Sequence, residues 1–306
     1  MSASGGSKAV IAALLANLAI AVMKFLAFAV TRSSSMLAEG VHSLADSGNQ
    51  VLLLVGGKRS ARAANAEHPF GYGRDRYFYG FLVALVLFTV GGLFAVYEGV
   101  EKVRHPHELD RAWVAIVVLL GAIVAEGFSL RTAVAEANHV RRGESWLEFI
   151  RRAKSPELPV VLLEDVAALT GLALALVGVS LSIVTGEPVW DGIGTLAIGG
   201  LLLIVAVVLI VETKSLLLGE GASAAVLDAV TGAIVGPGVD RIIHLRTLHL
   251  GPDELLVAAK IAMPAGATLS QVATAIDEAE ARIRAAAPVA RVIYLEPDLD
   301  RTAVQA

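Results

Sequence analysis

The stretch Ala9–Gly57 reads AVIAALLANLAIAVMKFLAFAVTRSSSMLAEGVHSLADSGNQVLLLVGG. It holds two apolar runs, each long enough to cross a bilayer, for which about 20 residues are needed. The second run differs from an ordinary span because it carries Glu39, His42 and Asp46. His42 and Asp46 are spaced i, i+4, so on an α-helix they share one face, and Glu39 and Asn49 extend the same stripe. An ionisable group in hydrocarbon costs roughly 2.5–3.5 kcal/mol on insertion scales, so such a group faces a pathway or a partner. A His-x-x-x-Asp pair on one turn suits a borderline divalent metal such as zinc. The plainer alternative is a hydrogen-bonded contact between helices.

The rest of the composition agrees with a membrane protein. Of 306 residues, 56% are hydrophobic and only 18% charged, which is not the balance of a soluble domain. A net charge of −4 leaves no nucleic-acid footprint. The chain has no cysteine, which excludes disulfides and thiolate metal sites. Any metal must be held by His, Asp, Glu, Asn or backbone oxygen. The first apolar run is read as a membrane span rather than a cleavable signal, because it is long and leads into a second run.

Six spans are expected, at Ala9–Thr31, Ser34–Gly57, Tyr77–Val100, Ala112–Thr132, Leu158–Ile183 and Val189–Val211. Span one carries Asn17 and Lys24, span four carries Glu126, and span five carries the adjacent acids Glu164 and Asp165. Basic residues cluster on one side, including Lys58, Arg59, Arg62, Arg74, Arg76 and the run Arg141–Lys154. The positive-inside rule then puts both termini in the cytoplasm. Glu144–Ile150 reads as a short helix at the cytoplasmic interface, anchored by Trp146 and Phe149.

After Val211 the apolar runs stop. Ser223–Val235 and Thr268–Ala287 have helical period, the latter with Ser270 near its start, while Asp240–Leu250, Glu254–Met263 and Val289–Leu295 alternate as strands. The expected fold is an all-α six-helix transmembrane domain, residues 1–212, followed by a small α+β domain of order α-β-β-α-β, residues 213–306. A core this small suits support from a partner subunit.

Several motifs carry a family resemblance. SSSMLAEGVHSLADSGNQ (Ser33–Gln50) resembles the second span of the cation diffusion facilitator family, and HPFGYGRDRY (His68–Tyr77) the loop opening its third span. Asn17, Lys24 and Asp191 look like family positions, and VDRIIHLRTLHLG with VARVIYLEP resembles the family's cytoplasmic, metallochaperone-like domain. AEGFSL and ESWLEFIRRAKSPELPVVLLEDVAALTG look like the branch that includes a mitochondrial zinc transporter. The resemblance implies a homodimer that exchanges a divalent cation for protons.

The chain departs from the family pattern at three places. The fifth-span pattern of His or Asp, three residues, then Asp has Val161 at its first position and Asp165 at its second. Around HPFG, the usual acid and two histidines are replaced by Asn65, His68 and Tyr72, so one histidine remains. In the cytoplasmic domain His244 and Glu296 remain at ligand positions, but Tyr294 stands where a histidine is common. His68, His244 and Glu296 are therefore possible accessory metal residues. His244 and His249 lie at odd spacing on one strand and face opposite sides.

The resulting expectation is a proton-coupled antiporter, not an enzyme, exporting a divalent cation from the cytoplasm. Zinc (Zn2+) is the expected substrate, with Co2+, Ni2+, Fe2+, Cd2+ and Mn2+ as other candidates and no prosthetic group. His42, Asp46 and Asp165 surround the metal, with Glu164, Glu126 or water completing it. Glu164 and Glu126 stay open between ligand, proton carrier and structural acid, and Asp165 could instead pair with Lys24. A local unwinding or π-bulge in span five would bring Glu164 and Asp165 inward together, so Glu164 is expected to contribute more to zinc binding than Glu126, and Glu126 to set the pH dependence of transport. Lys24 and Glu39 are assigned to proton coupling or charge balance. Metal binding needs neutral imidazole and ionised carboxylate, so it displaces protons. The expected location is a bacterial inner membrane, in contact with lipid and with no nucleic-acid partner. The alternatives are a membrane-embedded metallohydrolase and a non-transporting, metal-sensing scaffold.

Overall fold

A computed structural model of the chain describes residues 6–31, 34–106, 112–141 and 143–299, except the side chains of 31, 34–39, 41, 42, 45 and 112. The chain divides into two compact units. One comprises residues 1–59 and 75–214, the other 60–74 and 215–306.

The first unit is helical. It contains α1 (Ser7–Thr31), α2 (Ser34–Ser60), α3 (Asp75–Val86), a π-helical segment (Leu87–Leu93), α4 (Phe94–Arg104), α5 (Ala112–Val140), α6 (Trp146–Arg152), α7 (Glu157–Thr185) and α8 (Val189–Leu218). Among the described residues, five helical stretches are long and apolar enough to cross a membrane: α1, Asp75–Arg104, α5, α7 and α8. Helix α2 has 27 residues, a sufficient length, but its polar stripe lowers its hydropathy. Several helices outrun the apolar stretches; α5 continues to Val140 and α8 to Leu218. Pro156 precedes the first turn of α7, and Gly186 stops that helix at φ 73° with its N–H on the Ser182 carbonyl.

The expected break in span five is absent: α7 runs as one α-helix from Glu157 to Thr185. The π-helical segment lies in the third span instead, in LFTVGGL. There Gly91 and Gly92 give the backbone room beside Leu202 and Leu203 of α8.

The α4–α8 pair packs by alternating glycine and large residues. A Cβ on Gly99 would lie 2.7 Å from the backbone nitrogen of Leu196, and one on Gly199 would lie 2.7 Å from that of Val96. Gly192 meets Val103 in the same way. Each helix offers its glycine to the other's bulk, which brings the backbones close without polar glue.

One end of the bundle is filled by an apolar core. It joins Ala9, Val10 and Ala13 of α1, Leu53 of α2, Ala133 and Ala137 of α5, Leu158 to Leu162 of α7, and Leu209 of α8. Phe149 of α6 belongs to this core and is only 4% exposed. The expectation of Phe149 as an interfacial anchor is corrected: the residue packs inward against the apolar core of the bundle. Trp146 stays partly exposed, with the Arg141 guanidinium 4.1 Å over its ring. At the same end Arg76 Nε meets Glu157 Oε1 at 3.1 Å.

The second unit holds α9 (Ala224–Ile234), β1 (Arg241–Gly251), β2 (Glu254–Met263), α10 (Leu269–Ala286) and β3 (Ala290–Leu299), the order expected from periodicity. The sheet order is β1-β2-β3, antiparallel between the first two and parallel between the last two. Thr268 rather than Ser270 caps α10, through a capping box with Gln271. Val230, Ile234, Leu255, Val257, Ile261, Ala279 and Ile283 form its core.

The close α4–α8 approach makes a direct prediction. Gly99→Ala should cost about 1–3 kcal/mol, because the added methyl forces two backbones apart. Gly200→Ala, where a Cβ meets nothing within 4 Å, should not destabilise. Thermal melts of the two variants in detergent check this.

Candidate functional site

A cavity of about 260 Å³ lies among the helices of the first unit. At one end it is lined by Asn17 and Lys24 of α1, Ser43 and Asp46 of α2, Glu126 of α5, and Glu164 and Asp165 of α7. At the other end the lining includes Glu98 and Lys102 of α4 and Asp191 and Thr195 of α8. Apolar residues such as Leu87, Phe94, Val118 and Leu172 form the wall between.

The polar side chains at the first end are held individually. Asp165 is 2% exposed, and its Oδ2 accepts a 2.7 Å hydrogen bond from the Ser129 hydroxyl of α5. Glu126, 4% exposed, lies three residues before Ser129 and so shares that face of α5. Lys24 Nζ donates to Ser43 Oγ at 2.8 Å. Lys24 and Asp165 thus each have a hydroxyl partner, Ser43 and Ser129.

Glu164 is held differently. Asn49 Nδ2 donates to its Oε1 at 3.2 Å and Gln50 Nε2 to its Oε2 at 2.9 Å. Asn17 in turn donates to Gln50 Oε1 at 3.2 Å. The carboxylate therefore spends both oxygens on amides from α2, and these bonds tie α1, α2 and α7 together. Val161, at the vacated family position, is fully buried in the apolar core.

Of the sequence-selected residues, Lys24, Asp46, Glu126, Glu164 and Asp165 line one cavity. The side chains of Glu39 and His42 lie outside the described residues, although both positions belong to α2. Among the described residues, no three His, Asp or Glu side chains close into a metal-sized cluster. Sequence reasoning missed Ser129 and Gln50. The available signals were spacing: Ser129 sits i+3 from Glu126, and Gln50 sits i+4 from Asp46. Lys102, in the last turn of α4, was not among the selected residues.

The accessory positions lie in the second unit. Asn65, His68 and Tyr72 do come together, but as a knot of their own. Asn65 Oδ1 accepts from the His68 N–H at 2.7 Å, Asn65 Nδ2 donates to Tyr72 Oη at 2.9 Å, and the His68 and Tyr72 rings lie 4.4 Å apart. His244 and Glu296 do not meet directly. His244 pairs across the sheet with Lys260, and Lys260 with Glu296, so a lysine stands between them on the middle strand. Lys260 Nζ lies 3.0 Å from Glu296 and 3.3 Å from Asp298. These bonds, to Glu296 first and Asp298 next, raise the lysine pKa above its ordinary value. His249 is buried on the opposite face from exposed His244, as the odd spacing requires.

The long apolar helices and the acid-lined cavity among them define an integral membrane protein. The transmembrane domain of the cation efflux family matches residues 10–218. The mitochondrial proton-coupled zinc antiporter SLC30A9 of Homo sapiens is 32% identical over 260 residues, covering 84% of this chain and 46% of its own length. Metal tolerance protein C4 of Arabidopsis thaliana is 30% identical over 257 residues, 83% of this chain and 56% of its own. Magnetosome protein MamM of Paramagnetospirillum magneticum is 26% identical over 252 residues, 78% of this chain and 72% of its own. The chain belongs to the cation efflux family, the cation diffusion facilitators, and so stands with carriers rather than enzymes. It spans about half the length of the first two relatives.

Two predictions follow from these contacts. Glu164→Gln turns an NH2 toward an amide donor and should cost about 1–3 kcal/mol, the usual penalty for an unmatched buried donor. Glu126→Gln disturbs no such net and should leave the melting temperature near the parent's. In the second unit, the raised Lys260 pKa means its contribution is intact below the ordinary lysine value. It should fade as pH rises through the higher folded value. Unfolding followed against alkaline pH should show that decline in the parent and lose it in Lys260→Met.

Proposed function

We propose that the protein is a proton-coupled antiporter that exports a divalent metal, with zinc as substrate, from the cytoplasm. The single observation that carries the reading is the cavity lined by Asp46, Glu126 and Asp165 from three helices. The family and the names of the human and plant relatives support it. In this reading α2 also spans the membrane, which brings the spans to six, its polar stripe turned to the pathway. Both termini are cytoplasmic, the second unit mediates homodimerisation, and the membrane is a bacterial inner membrane.

The metal is bound by His42 and Asp46 of α2, Asp165 of α7 and Glu126 of α5. Glu126 is preferred to Glu164 because both Glu164 oxygens already accept amide hydrogens. Zinc favours four ligands, and a nitrogen among carboxylates favours it over Mn2+, while Co2+, Ni2+, Fe2+ and Cd2+ share enough chemistry to compete. Ser129 fixes the Asp165 carboxylate through its hydroxyl. Metal leaves when protons take the same carboxylates and imidazole, so one site serves both substrates alternately. Lys24, and Glu39 at the far end of α2, balance charge when the metal is absent. In this reading the packed core around Phe149 and the Arg76–Glu157 pair lie at the cytoplasmic end.

Zinc flux into proteoliposomes under an opposing pH gradient tests the reading. Asp46→Ala and Asp165→Ala should abolish flux, and Ser129→Ala should weaken zinc affinity roughly 10–100-fold, as outer-shell partners do. Glu126→Gln should lower affinity more than Glu164→Gln. Sustained flux by the Asp165 variant would sink the site as drawn.

A further inference from the structure

The end of the cavity away from the acids carries its own charge arrangement. Lys102, in the last turn of α4, reaches across to the first turns of α8. Its Nζ lies 3.1 Å from Asp191 Oδ2, 3.3 Å from Glu98 Oε1 and 3.4 Å from Thr195 Oγ1. All four residues line the same cavity as Asp46, Glu126 and Asp165. The contact is partly open, with Lys102 at 27% and Asp191 at 19% side-chain exposure. Below it, the α4–α8 interface is glycine against aliphatic side chain.

We propose that Lys102 is the release residue of the pathway, a tethered cation that keeps the outer mouth from retaining the departing metal. The inference rests on the antiport reading and adds to it. Two carboxylates and a hydroxyl converging on one point are hard oxygen donors, the set that holds a divalent cation. The ammonium fills that point and repels an ion of like charge. The ion therefore passes from the acids at the inner end to solvent without a second stop. Because Lys102 and Glu98 belong to α4 while Asp191 and Thr195 belong to α8, the same contact joins the two helices at the mouth.

A packing role and a release role differ in what a second substitution does. Lys102→Met leaves Glu98 and Asp191 unneutralised. Full-length Lys102→Met in detergent should bind one more Co2+ per chain than the parent by equilibrium dialysis, and Lys102→Met with Asp191→Asn should lose that extra ion. In proteoliposomes, zinc on the release side should inhibit Lys102→Met at about tenfold lower concentration than the parent, a shift of about 1.4 kcal/mol. Lys102→Arg should behave as the parent, and the double variant should recover. An unchanged ion count in Lys102→Met, or a double variant as impaired as the single one, overturns the proposal. So does loss of the folded protein in both Lys102→Met and Lys102→Gln, which would make the ammonium a packing element. Absent flux in the parent would count against antiport alone, since the dialysis still judges Lys102 without transport.

Discussion

The carboxylate of Glu164, enclosed among apolar helices, has to be met by donors, and the way it is met organises the first unit. A buried charge without partners costs far more than a marginal fold can absorb. Here the donors come from consecutive residues of α2, Asn49 and Gln50, and Gln50 is steadied by Asn17 of α1. Three helices are thereby locked in register at one depth. Asp46 sits one turn from Gln50 on α2, and Asp165 follows Glu164 on α7. The net that satisfies Glu164 thus also fixes where the neighbouring acids stand. The residue that looked like a ligand by adjacency is tied to two amides of α2.

The cavity follows from the unequal treatment of the two ends of the bundle. At one end short aliphatic residues of α1 and α5 let α7 approach closely, and Phe149 from α6 completes an apolar core. At the other, charged residues at the α4 and α8 termini hold their helices together through Lys102 and leave the lumen polar. Between them the π-helical segment and the glycines of α4 and α8 give a thin, smooth wall. Along these glycines the interface is held by close van der Waals contact.

In the second unit the positions considered for accessory metal binding have local partners. Lys260 stands in the cross-strand row between His244 and Glu296 and supplies the positive charge there itself. Asn65, His68 and Tyr72 satisfy one another in a loop.

Much of this was legible in the chain itself. Hydrophobic run length gave the helices, because bilayer thickness leaves little choice of span. Period-two alternation of the strands and helical period over Thr268–Ala287 gave the α-β-β-α-β order of the second unit, although Thr268 rather than Ser270 caps that helix. The acids at Asp46, Glu126, Glu164 and Asp165 stood out because ionisable residues are rare in apolar runs. What a string of residues does not carry is which neighbour reaches each acid. Whether Glu164 binds a metal or an amide depends on helices more than one hundred residues apart in sequence. The inward turn of Phe149 and the reach of Lys102 to Asp191 likewise depend on helix rotation and crossing. Those are set by packing shape over the whole bundle, not by local propensity, and only the tertiary structure decided them.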